Sequence, residues 1–316
     1  MNENMKKVKD KKEKIEKMIP DDHRKYTFWS PKDFIEGKYK GYMLYAYGGY
    51  VLGLYLDNAE LKVKLNVSDK YYEYSKFAET GVLSETEYKK KLSSIESYIL
   101  TGEETAETGN AFDFAFKVCK NRAEGTAINH PKHYLERMRE TAIARKHCST
   151  TSDFWIIEME SKMPVNGKKP DLIGIQITDN KPVFYFIEYK CTTGAMDGNQ
   201  CPIAHLEDMA KYYSTLKLSG FESYAERLGY SVDLSNADRK ILFLFSNVCK
   251  TDKGGMTYQK AINGIEKLKD FKGDNEVLKN VRIAIIQDEN DTIWPGKIYS
   301  IEDAVALLKE QKKSDK

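Results

Sequence analysis

The chain has no run of about eighteen consecutive apolar residues and no signal-peptide pattern in its first residues, so neither membrane insertion nor secretion is expected. Cysteine is scarce. The five present, Cys119, Cys148, Cys191, Cys201 and Cys249, are odd in number and scattered, with no pair at CxxC spacing. A disulfide framework and a zinc cluster are both disfavoured. A formal net charge of +2 is too small to argue for a nucleic-acid partner by itself. No internal repeat or low-complexity linker divides the sequence. These absences leave a soluble, cytoplasmic chain of 316 residues, long enough for one large domain or two smaller ones.

The charge that is present is unevenly placed. Residues 1–17 carry Lys6, Lys7, Lys9, Lys11, Lys12, Lys14 and Lys17, which reads as a mobile basic helix or tail, able to track phosphates or simply solvated. Lys309, Lys312, Lys313 and Lys316 read as an ordinary frayed terminus. In the region up to about residue 128, Gly48-Gly49 between apolar flanks signals a tight hairpin turn, and a second polar turn at Asp57-Asn58 leads into the alternating run 60–67. A three-stranded meander is the simplest reading, followed by helices at about 69–79, 85–99 and 110–121. The tyrosines of the meander read as core packing rather than as a base-stacking surface.

The chemistry concentrates in residues 153–193. The segments 171–178 (DLIGIQIT) and 182–189 (PVFYFIEY) are short, β-branched and aromatic, and the polar turn 179–181 separates them, which predicts a β-hairpin. Side chains alternate along a strand, so Glu188 and Lys190 share one face while Tyr189 points to the other. Asp171 opens the first strand after Pro170, and in a hairpin that start lies beside the end of the second strand. Two carboxylates and an ammonium therefore converge. Close carboxylates repel unless a cation sits between them, and hard oxygen ligands suit Mg²⁺, with Mn²⁺ as a substitute. A bound Mg²⁺ polarises a phosphoryl oxygen and acidifies a coordinated water, and a neighbouring lysine orients that water. The bland alternative is a strand-end salt bridge with Asp171 capping a turn.

Pro170-Asp171 followed by Glu188-Tyr189-Lys190 resembles the two half-motifs of the PD-(D/E)XK nuclease superfamily. That resemblance, which covers roughly residues 130–245, implies an α/β, restriction-endonuclease-like αβββαβ core with a mixed central sheet; the α+β accessory region before it does not match that core. The same resemblance implies Asp171 and Glu188 as metal ligands, Lys190 as catalytic, and Tyr189 as a ligand through its backbone carbonyl. The flanking pattern follows the same order: a helix opening at His130-Pro131 and running to about 146, a strand at 154–159, the hairpin, a helix from Cys201-Pro202 to about 218, and a strand at 240–245. Helix 258–271, strand 281–286 and helix 301–309 lie beyond the matched stretch. The expected division is 1–128 as the accessory region and 129–316 as the nuclease-like domain.

Further candidates surround this set. Glu136 and Glu140 on the first helix are possible extra acidic ligands, although both fall off its apolar stripe (Tyr134, Leu135, Met138, Ala142) and read as solvated. Glu158 and Glu160 share a face of the first strand and offer another ligand position. His205 and Lys211 on the second helix are candidate phosphate contacts, with a structural role the plainer reading for the histidine. The Gln-x-x-x-Tyr pattern of the exonuclease-like branch is missing from this helix. By resemblance, the expected function is an Mg²⁺-dependent endonuclease acting on DNA in restriction or anti-phage defence, as a homodimer or beside a helicase or ATPase. An RNA-directed nuclease and a non-catalytic nucleic-acid-binding subunit of a defence complex are the alternatives.

Overall fold

A computed structural model of the chain describes residues 3–34, 38–66, 72, 74–75, 84–124, 131–148, 153–160, 169–178, 181–249, 255–293 and 296–314. The chain divides into two compact units, Met1–Arg145 and Lys146–Lys316. Among the described residues, no helix is long and apolar enough to cross a membrane.

The first unit opens with helices α1 (Glu3–Met18) and α2 (Asp21–Arg24), then an antiparallel sheet of β1 (Thr27–Phe34), β2 (Tyr39–Ala46), β3 (Gly49–Asp57) and β4 (Glu60–Leu65) in that spatial order. The meander thus has four strands rather than the expected three. Pro31 hides β1 in the sequence, because a residue without an N–H reads as a strand breaker; β1 tolerates it as an edge strand. The β2–β3 turn centres on Tyr47-Gly48, both in the left-handed region (φ 51° and 73°), one residue before the Gly-Gly pair. The lysine-rich segment is a packed helix and not a free tail. Val8 and Ile15, one face of α1, are fully buried, and Lys11 and Lys12 lie over the rings of Tyr98 and Tyr42.

Helix α3 (Glu85–Thr101) begins with a Ser84–Glu87 capping box and ends at left-handed Gly102, and α4 (Ala106–Glu124) follows. The helix expected at 69–79 falls mostly outside the described residues, as does His130. Helix α5 (Pro131–Lys146) falls almost wholly in this unit, so the division comes at 145/146 instead of near 128. Its tie to the β2–β3 turn explains this: Gly48 N–H donates to Thr141 Oγ1 at 2.8 Å, and a Cβ at Gly48 would lie 2.5 Å from the Arg137 carbonyl carbon.

The second unit is built on a six-stranded sheet. Its strands are β5 (Phe154–Met159), β6 (Leu172–Thr178), β7 (Lys181–Lys190), β8 (Asp238–Ser246), β11 (Val281–Ile286) and β12 (Ile298–Tyr299), in the order β12-β11-β8-β7-β6-β5. Short strands β9 (Val248–Cys249) and β10 (Met256–Thr257) pair with each other. The sheet is mixed: β5, β6 and β7 run antiparallel, β7, β8 and β11 parallel. Residues 179–180 of the expected β6–β7 turn lie outside the described residues. Helices α6 (Pro202–Tyr213), α7 (Ser219–Leu228), α8 (Tyr258–Lys267), α9 (Asn275–Lys279) and α10 (Ile301–Ser314) complete the unit. The second helix expected to run to 218 ends at Tyr213, and a separate helix starts at Ser219.

Alternation along the strands decides which face the helices cover. Ile173 and Ile175, Phe184 and Phe186, and Ile241, Phe243 and Phe245 form one core with Leu206, Met209 and Tyr212 of α6 and with Ala261, Ile262 and Ile265 of α8. Glu188 and Lys190 continue the Phe184–Phe186 series, so β7 ends with two charged groups on a face otherwise packed with apolar side chains.

Candidate active site

The β6–β7 register pairs Leu172 with Ile187, which makes Asp171 and Glu188 the next cross-strand positions at the open end of the hairpin. A hydrogen bond fixes that end: Asp171 Oδ2 accepts from the backbone N–H of Tyr189 at 2.8 Å. Glu188 Oε1 accepts from Lys190 Nζ at 2.8 Å and lies 2.7 Å from His205 Nδ1. Glu188 is 3 % and Lys190 2 % exposed. Burial pushes the Glu188 carboxyl up, but the Lys190 ammonium and the His205 hydrogen bond outweigh it and hold the carboxyl below its ordinary value. The Tyr189 side chain takes the opposite direction, with its hydroxyl 2.5 Å from Ser246 Oγ.

His205 comes to the site because α6 presents it on the same face as Met209 and Tyr212 (i, i+4, i+7). Pro202 starts the helix, and the connection from Lys190 is anchored by Met196, which packs where a Cβ on Gly264 would stand, and by the Asp197–Lys260 ion pair at 3.1 Å. Burial raises the pKa of the Tyr212 phenol, and the charges of Glu188, Asp208 and Asp171 add to it. Asp208 is thus a third carboxylate close to this site, passed over in the sequence; the only signal available was its helical spacing from His205 and Tyr212.

The other candidates fall differently. Lys211 is largely exposed and held by Asp208 at 2.8 Å. Glu158 is buried at 1 % exposure, and a bulge between Ile156 and Glu158 shifts the register so that Glu158 pairs with Ile173. Glu160 stands past the end of β5 in the left-handed region (φ 50°), donates its backbone N–H to the Asp171 carbonyl at 2.9 Å, and lies 3.6 Å from the exposed Lys169 ammonium. Glu158 and Glu160 therefore do not form one exposed edge. Glu136 and Glu140 belong to the first unit. Glu140 is 3 % exposed and not solvated, since residues 140–144 of α5 are all buried and the apolar stripe widens there to most of the helix.

Among the described residues, no group of three or more His, Cys, Asp or Glu side chains is arranged to hold a metal ion. The donor set at the hairpin end still fits a hard divalent cation in kind: two carboxylates at adjacent cross-strand positions, with both donors to Glu188 gathered on Oε1. Comparison of the chain with protein-family models, with curated proteins and with solved structures returned no match.

Proposed function

We propose that this chain is an Mg²⁺-dependent nuclease that hydrolyses DNA phosphodiester bonds, built on a restriction-endonuclease-like core and acting in restriction or other defence against foreign DNA. The single observation that carries the reading is the convergence of Asp171, Glu188 and Lys190 at one strand end, with Asp171 bonded to the residue between the other two. The chain order β5, β6, β7, α6, β8 within the second unit supports it, with α7 as an addition before β8; the helix that precedes β5 in the chain, α5, belongs almost wholly to the first unit. Asp171, Glu188 and the Tyr189 carbonyl would hold the cation. When bound, Mg²⁺ supplies polarisation of a phosphoryl oxygen and a more acidic water.

The chain's own groups do the rest. Lys190 orients the attacking water and neutralises charge developing on the phosphoryl oxygens, and its burial makes that ammonium more effective than it would be in bulk solvent. The sheet fixes these side chains before substrate arrives, so little reorganisation accompanies reaction.

The test is cleavage of linear duplex, circular duplex and single-stranded DNA, with an RNA control, in Mg²⁺ or Mn²⁺ against EDTA. Asp171→Ala, Glu188→Ala and Lys190→Ala are each expected to abolish metal-dependent cutting. Normal cutting by all three would end the proposal, and cutting confined to RNA would redirect it to an RNA substrate.

A further inference from the structure

Lys190 spends one of its three N–H donors on Glu188 Oε1, at 2.8 Å. Turning another donor toward a water or a phosphoryl oxygen pulls Nζ off that line and weakens its hold on the carboxylate. Glu188 is 3 % exposed, so bulk water does not make up for a weakened donor, and a poorly paired carboxylate in such a place is strongly disfavoured. A second donor is already in place. His205 Nδ1 lies 2.7 Å from the same oxygen, on a helix anchored through Leu206, Met209 and Tyr212 rather than on β7 itself.

A carboxylate oxygen accepts about two hydrogen bonds. Lys190 and His205 together saturate Oε1 and leave Oε2 as the oxygen available to a cation. The other ring nitrogen, Nε2, is enclosed and has no hydrogen-bond partner among the described residues, so the ring's polar tie is to Glu188. This distinguishes it from a side chain reaching outward to a nucleic-acid phosphate.

We propose that His205 is a positioning residue: it keeps Glu188 Oε1 bonded and oriented while Lys190 also reaches toward the substrate, so that Oε2 holds the cation. The role rests on the metal-dependent reading above. It resembles the outer-shell partners that orient metal-binding side chains, whose loss typically weakens metal affinity or activity by 10- to 100-fold, as a rough range.

The experiment measures Mn²⁺ binding to the full chain by electron paramagnetic resonance without nucleic acid, for wild type, Glu188→Ala, His205→Ala, His205→Asn and His205→Gln. Circular dichroism checks each fold. Asparagine sets a donor near the place of Nδ1, glutamine near that of Nε2. His205→Ala is expected to weaken Mn²⁺ binding about tenfold or more, His205→Asn to restore most of it, and His205→Gln to restore little. Turnover should follow the same order with KM for DNA unchanged. Wild-type binding by His205→Ala, or rescue by glutamine instead of asparagine, overturns the positioning role while the loss of binding in Glu188→Ala leaves the metal reading standing. A wild type that binds no Mn²⁺ removes the metal reading, and this role with it.

Discussion

Asp171 accepts the backbone N–H of Tyr189 at 2.8 Å, which ties the start of β6 to the residue between Glu188 and Lys190. One carboxylate thus has two separable duties, a structural one through Oδ2 and the proposed ligand duty through its charge. Asp171→Asn keeps an acceptor for the N–H and loses the charge, whereas Asp171→Ala loses both. The asparagine variant should unfold in urea within roughly 0.5 kcal/mol of wild type, and the alanine variant about 1–2 kcal/mol earlier. Both should be inactive. An active asparagine variant would show that the charge is dispensable.

The buried Glu188–Lys190 pair predicts strong non-additivity. Lys190→Met leaves a carboxylate at 3 % exposure with His205 as its remaining hydrogen-bond donor, and should cost about 3–5 kcal/mol. Adding Glu188→Gln removes the stranded charge and should recover most of that loss, because a neutral amide beside a thioether needs no counter-ion. Equilibrium denaturation of the two single variants and the double variant measures the coupling. Additive losses would mean the two charges do not depend on each other.

Much of this arrangement was legible in the chain. The run 182–190 is apolar until its last three residues, and the alternation that buries Phe184 and Phe186 against α6 also assigns Glu188 and Lys190 to that face. What stayed hidden depends on partners distant in sequence. The β5 bulge that pairs Glu158 with Ile173 is set by its register against β6, and nothing in FWIIEM marks it. His205 reads as a lone helical histidine until α6 is laid over the end of β7. The lysines of α1 hide a buried Val8–Ile15 stripe, because long charged side chains keep their heads in water while their stems cover apolar surface. Helix α5 reads as part of the following domain on chain order alone, yet the turn it packs against, at Tyr47-Gly48, lies over eighty residues upstream.

His147 makes stability depend on pH above the carboxylate range. Its ring is 2 % exposed and Nε2 accepts the Ile293 N–H at 3.3 Å, so burial pushes the imidazole down to about 4 from its ordinary 6.5. A depressed folded-state value means the unfolded chain binds the proton first. The stabilisation is complete above pH 6.5, falls as pH drops, and is gone below about 4, a loss of about 3 kcal/mol at most. Glu188 is also depressed, but relative to 4.5, so its contribution is lost only below that pH. Urea midpoints between pH 7 and 4 should therefore fall for wild type and flatten for His147→Gln, which keeps an acceptor and cannot be protonated there. An identical slope in both proteins would remove His147 as the cause.

Two glycines of the first unit should respond with opposite sign to the same substitution. Gly48 holds φ +73°, and a Cβ there would lie 2.5 Å from the Arg137 carbonyl carbon and 2.8 Å from its oxygen. Backbone cannot step aside as a side-chain tip can, so Gly48→Ala combines a left-handed penalty of roughly 1–2 kcal/mol with a clash that displaces α5 from the turn. Its total cost should exceed about 2 kcal/mol. Gly109 lies exposed within α4 with nothing within 4 Å of an added Cβ. There alanine removes backbone freedom from the unfolded chain and favours the helix, so Gly109→Ala should stabilise by about 0.5–1 kcal/mol. Thermal melts of the two variants against wild type decide it. A neutral Gly48→Ala would mean that the Tyr47-Gly48 turn does not hold α5 as closely as these distances require.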